Sequence, residues 1–272
     1  MVQSCSTRDA KIVYLHSDEN PWGGYARISK DLANRPEEEI LVRAYGIPVK
    51  SMTSLLPMFS TSVNVLTDEE NSNGMAFPDV SSKKDFSCYH VLDPAGARNF
   101  SCIWAAVNDE GDVYIMREWP DRIGLDVASY VDLFEDIEQE MNIHVCERVG
   151  DSRYFARENE NNEDLFTVFS DHGMDFIPSS GVNEDTGINA LDEWFAYNPN
   201  LPIDAANRPR CYIHARCGNL IDSLINYNSE GKSDEALKDF FDCIRYLRMI
   251  NSGDGPDHYN PRFFDRGNKG GY

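Results

Sequence analysis

Asp93 closes the run Cys88-Tyr-His-Val-Leu-Asp93, and Asp151 follows the run Ile143-His-Val-Cys-Glu-Arg-Val149 and Gly150. A carboxylate at the end of a strand can point out of a sheet edge into solvent, where metal ions and phosphates can reach it. Asp239 and Asp242 add two more, three residues apart in a helical pattern and hence on one face. Carboxylate oxygens suit hard divalent cations, and cations held this way can polarise a phosphoryl oxygen and activate water. Taken singly, each aspartate reads more simply as a turn or surface charge. The chemistry needs the set.

The elements that must position the set are legible as patterns. Ser101-Cys-Ile-Trp-Ala-Ala-Val107 and Asp112-Val-Tyr-Ile-Met-Arg-Glu118 are apolar, β-prone runs parted by Asn108-Asp-Glu-Gly111, which with the Asp93 run predicts a three-stranded meander. Residues 129–141 carry apolar side chains at 130, 131, 133, 134, 137 and 141, a helical stripe, and the strand 143–149 then delivers Asp151. Residues 164–169 read as a helix or a strand, and 173–178 as a short strand. The stretch 187–195 reads as a helix, 211–214 as a strand and 217–227 as a helix. The last helix, 234–248, has apolar positions 237, 240, 241, 244 and 247 and carries Asp239 and Asp242. Two strand-end aspartates followed by a C-terminal helix with Asp-x-x-Asp is the order expected of an RNase H-like two-metal site. The predicted class is α/β, an RNase H-like fold with a central mixed sheet flanked by helices.

The residues around these positions resemble the large terminase subunit of tailed bacteriophages, in its C-terminal nuclease domain. The resemblance lies in Val91-Leu-Asp-Pro-Ala-Gly96 with Asn99, Ala105-Ala-Val-Asn-Asp-Glu-Gly-Asp-Val-Tyr114, Arg117-Glu-Trp-Pro120 and Arg148-Val-Gly-Asp-Ser-Arg153. It continues in Cys217-Gly-Asn-Leu-Ile221 and Lys238-Asp-Phe-Phe-Asp-Cys-Ile-Arg-Tyr246 and covers most of 85–250. The resemblance implies a metal-dependent endonuclease of viral genome packaging that cuts concatemeric double-stranded DNA with two Mg²⁺ or Mn²⁺ ions. Asp93 would bridge the ions, and Asp151 with Asp239 or Asp242 would complete the set, either helix aspartate being open as the direct ligand. The implied partners are double-stranded DNA, a portal protein, a small terminase subunit and an ATPase motor domain, in the host cytoplasm. Arg98, Arg153 and Arg157 are candidate DNA contacts, with Arg148, Arg245 and Arg248 also near the acidic positions. Glu118 is an outside candidate at its strand end, where a salt bridge to Arg117 or Arg122 is the plainer role. The rival of the same chemistry is an RNase H-like resolvase or repair nuclease; the rival of another class is a catalytically silent module docking a portal or motor.

Residues 11–25 resemble the end of a terminase ATPase domain, and 46–50 with 56–59 its connection to the nuclease. The expected organisation is an ATPase remnant and connecting segment over 1–75, the nuclease domain over 76–250 and a flexible tail, rich in Gly, Pro, Asp and Asn, over 251–272. No phosphate-binding G-x-x-x-x-G-K-[ST] occurs, because Asn226 stands where the first glycine before Gly231-Lys-Ser233 belongs. The expectation is a nuclease with a remnant of the motor, either a piece of a longer chain or the product of a split gene.

Composition sets the boundaries. The chain has 272 residues, 41% of them hydrophobic, without an apolar run of membrane-spanning length and without the apolar core of a signal peptide near its start. Seven scattered cysteines suggest reduced thiols. Cys211, His214 and Cys217 have zinc-like spacing but lack a fourth ligand. There are 46 acidic and 25 basic residues, a formal charge of −21, the reverse of a protein that grips DNA unaided. The expectation is that other parts of a packaging machine hold the DNA.

Overall fold

The computed structural model describes residues 55–71, 73–94, 100–119, 125–155, 164–179, 184–226 and 235–250, within one compact unit that begins at Leu55. The stretch up to residue 54, expected to hold the ATPase remnant, and Arg98, Arg157, Gly231-Lys-Ser233 and the segment after residue 250 lie outside the described residues.

The meander is present as β2 (Phe86–Asp93), β3 (Ser101–Asn108) and β4 (Val113–Trp119), antiparallel in sequence order. α2 (Val127–Glu140) follows, its N-terminus capped by the Asp126 carboxylate accepting from the Ser129 N–H at 2.8 Å. The chain returns as β5 (Val145–Gly150), parallel to β2 on its outer side. After a 3₁₀ turn (Ser152–Tyr154) comes α3 (Leu165–Asp171), capped by Asp164, which settles the stretch read as helix or strand. β6 (Ile177–Pro178), α4 (Glu184–Phe195), β7 (Cys211–His214), α5 (Gly218–Asn226) and α6 (Glu235–Met249) complete the order.

A short helix α1 (Thr61–Asn64) and strand β1 (Val65–Leu66) precede the meander, and β1 pairs with β7 at the sheet edge. The sheet therefore takes in residues that sequence reading assigns to the connecting segment. Two-residue strands are too short to announce themselves by alternation. The sheet order is β1-β7-β4-β3-β2-β5-β6, mixed, with β3 alone running against the rest. The C-terminal ends of β2 and β5 consequently lie side by side.

Strand alternation splits the core in two. Tyr89, Val91, Ile103, Ala105 and Val149 face α4, α5 and α6, meeting Leu191, Phe195, Leu220, Phe241 and Ile244. Cys88, Leu92, Trp104 and Ala106 face α2 and α3, meeting Phe134, Ile137, Phe166 and Phe169. Because side chains alternate along a strand, Asp93 falls on the face of Tyr89 and Val91, the face covered by α6. This parity decides where the carboxylate goes.

Candidate active site

Asp93 was expected at a sheet edge in solvent; it is buried instead, 3% exposed. The reason is tertiary: α6 covers the face on which Asp93 lies, and β5 returns through α2 to pair beyond β2, making β2 an interior strand. Crossovers of this kind are invisible to local pattern. The register Leu92–Gly150 sets Asp93 and Asp151 abreast on adjacent strands, and the Asp151 N–H donates to the Leu92 carbonyl at 3.3 Å. Asp151, 1% exposed, also caps the 3₁₀ turn.

Two details fix this corner. Gly150 has no room for a side chain, since a Cβ would lie 2.1 Å from the Phe166 ring. Ser179 accepts the Ser152 N–H on its hydroxyl at 3.1 Å while its own N–H donates to the Gly150 carbonyl at 2.7 Å. The turn after Asp151 is thus tied to the strand before it.

The third corner comes from α6. Cys243 donates its thiol to the Ser101 carbonyl at 3.2 Å, and Ser101 is the register partner of Asp93. That contact seats the helix turn bearing Asp242 and Asp239 on the ends of β2 and β3, with both aspartates buried. Burial, then the charges of Asp242, Asp151 and Asp239, push the Asp93 carboxyl up to about 8, Arg153 opposing in part. Asp151, Asp239 and Asp242 therefore lie near enough to Asp93 for their charges to act on it.

Arginines reach into this centre. Arg153 donates to Asp151, and Arg245 donates Nε and a terminal nitrogen to Asp242 Oδ1 at 3.1 and 2.8 Å. Tyr246 is the residue that pattern reading passed over except as part of a motif. Its hydroxyl lies 3.4 Å from an Arg153 terminal nitrogen. Burial and the charges of Asp93, Asp242 and Asp151 raise its pKa, so the phenol stays protonated. Its position four residues after Asp242, on the same helical face, was the available signal.

Other expected residues are placed elsewhere. Glu118 accepts the N–H groups of Asn219 and Leu220 at 2.9 and 2.8 Å and so caps α5, while Arg122 lies outside the described residues. Arg148 pairs with Glu138 at 2.5 Å on the α2 face, where Glu138 also accepts from the Trp104 indole at 3.2 Å and His90 stacks on Trp104. Arg248 is buried and donates to the Ala190 carbonyl at 2.9 Å. His214 contacts Asp68 and Arg216, while Cys211 and Cys217 are buried thiols, so the zinc-like spacing gathers no zinc ligands.

Among the described residues, no three His, Cys, Asp or Glu side chains stand together as a ready grip for a metal ion. Asp151 and Asp242 are each engaged by a guanidinium, from Arg153 and Arg245. The donor chemistry nevertheless fits Mg²⁺ or Mn²⁺: the groups are carboxylate oxygens, and their mutual repulsion at Asp93 is the condition a divalent cation relieves.

No protein-family model and no curated protein matches the sequence. Solved structures do match in fold. The nuclease domain of the P22 large terminase aligns with a TM-score of 0.50 at 15% identity, over 72% of this chain and 91% of that domain. The large terminase of a thermophilic bacteriophage aligns in two crystal forms, with TM-scores of 0.52 and 0.51 at 12% and 13% identity. These alignments cover 84% and 88% of this chain, which spans 52% and 55% of that longer protein. The chain has the RNase H-like α/β fold of phage large-terminase nuclease domains. No helix among the described residues is long and apolar enough to cross a membrane.

Proposed function

We propose that this chain is the nuclease part of a viral DNA-packaging terminase, cutting concatemeric double-stranded DNA at the start and end of genome packaging. The observation that carries the reading is the convergence of Asp151, Asp239 and Asp242 on the buried Asp93 at the strand ends of this fold. Asp93, Asp151 and the α6 aspartates would hold two Mg²⁺ or Mn²⁺ ions, which when bound supply an activated water and stabilise the departing 3′ oxygen. The protein's own part is positional. The paired ends of β2 and β5 fix two carboxylates, and the Cys243–Ser101 contact fixes the helix that brings the others. The protonated Tyr246 hydroxyl is a hydrogen-bond donor available to a phosphate oxygen.

The net charge of −21 supports delivery of DNA by partners: a small terminase subunit for sequence recognition, a portal protein for docking and an ATPase motor in the same or a separate chain. The setting would be the host cytoplasm during virus assembly. Plasmid nicking in Mg²⁺ or Mn²⁺ tests the reading. Asp93→Ala should abolish metal-dependent cleavage while leaving the circular dichroism spectrum unchanged, and undiminished cleavage by a folded Asp93→Ala protein would refute it.

A further inference from the structure

Both oxygens of the buried Asp151 carboxylate are committed to one residue two positions on. Oδ1 accepts the Arg153 backbone N–H at 2.9 Å, and Oδ2 accepts Nε at 2.7 Å with a terminal nitrogen at 2.5 Å. The guanidinium also reaches the Tyr246 hydroxyl at 3.4 Å, so one cation joins the end of β5 to α6 on the solvent side of the buried carboxylates. The Arg153 side chain is 65% exposed and sits on a three-residue 3₁₀ turn. It can swing away without leaving a cavity.

Arg245 makes the contrast. Its side chain is 11% exposed, it lies against Gly187 where a Cβ would be 2.9 Å from its Cγ and Cδ, and its guanidinium covers the Tyr246 ring at 5.0 Å. The glycine on α4 makes room for it. Arg245 is built into the helix packing, whereas Arg153 is held to the described residues by polar contacts.

We propose that Arg153 is a displaceable counter-ion that competes with the divalent cation for Asp151 and turns outward to a backbone phosphate of DNA when the cation binds. The inference rests on the nuclease reading above and adds a coupling to it. A resting protein closed in this way binds metal weakly until a phosphate offers Arg153 another partner, so metal and DNA each tighten binding of the other. A guanidinium suits the exchange because its planar fork matches carboxylate and phosphate alike.

The test uses the whole chain without DNA. Mn²⁺ binding is followed by electron paramagnetic resonance for the wild type, Arg153→Gln and Arg153→Lys, and the wild-type Arg153 Nε–H signal is followed by NMR during Mg²⁺ titration. Lysine keeps the charge and loses the fork. Both variants should bind Mn²⁺ more tightly, by about fivefold or more, the equivalent of a partly exposed ion pair at the upper end of its range. The Nε–H signal should shift and exchange faster with solvent at saturating Mg²⁺. Tighter binding by the glutamine variant alone would reduce the effect to long-range charge and overturn the proposal, as would equal affinity in all three or an Nε–H signal unmoved by bound Mg²⁺. Absence of Mn²⁺ binding by every protein would remove the nuclease reading itself, and the proposal with it. Should Arg153→Gln fail to fold, the lysine variant and the wild-type titration decide.

Discussion

Replacing Asp93 by Asn removes a charge and keeps the shape, and its effect on the metal-free protein follows from the site's own repulsion. The Asp93 carboxyl stands near 8 in the folded chain against 3.8 as a free side chain, through burial first and then Asp242, Asp151 and Asp239. A folded-state value above the unfolded one means that the native protein binds the extra proton across this interval. Its stability is then present below about pH 4 and lost progressively as pH rises toward 8. From pH 5 to pH 8 the loss from this one group has a ceiling of about 4 kcal/mol. Relaxation and water penetration reduce it, to about 2 kcal/mol. Urea denaturation in EDTA at both pH values measures the quantity directly. Asp93→Asn should gain stability on the wild type by about 2 kcal/mol more at pH 8 than at pH 5, and Mg²⁺ should reverse the order at pH 8 by stabilising only the wild type. A difference between the two proteins that does not change with pH would mean that Asp93 is not charged against its neighbours, and the argument for a cation-binding centre would lose its electrostatic basis.

Three further outcomes are expected. Gly150→Ala should cost about 1–3 kcal/mol in thermal or urea denaturation, the range for overpacking, because the new methyl meets the buried Phe166 ring; a neutral effect would show that Phe166 yields freely. Asp242→Asn should impair cleavage more than Asp239→Asn and also lower the melting temperature, since the nearly closed Asp242–Arg245 ion pair is broken. Cleavage assays beside calorimetry check both halves, and an inert Asp239→Asn with only mild slowing in Asp242→Asn would take α6 out of the metal site. Duplex DNA binding by the isolated chain should be weak and fall steeply between low and physiological salt, measured by fluorescence anisotropy, whereas tight, salt-insensitive binding would contradict the reading of its acidic charge.

What the sequence determined by itself was the identity of the elements and the chemistry of their ends. Alternation and helical periodicity within 86–119 and 127–150 are local properties, so β2, β3, β4, α2 and β5 could be read without the fold, and with them the strand-end positions of Asp93 and Asp151. The pairing of Asp239 with Asp242 followed from helical spacing alone. Tertiary structure decided what local pattern cannot carry. The crossover that places β5 outside β2, with α6 packed over the same strand end, made Asp93 a buried residue. Glu118 became a cap for a helix a hundred residues later, and Arg148 a partner for Glu138 on the far face. β1 joined the sheet through a two-residue pairing with β7. The ion pairs that distinguish Arg153 from Arg245 arose in the same way, because a side chain's partner and its freedom to leave depend on which elements pack over it. Periodicity specifies a face; only the packing of that face on others fixes the field in which a carboxylate sits.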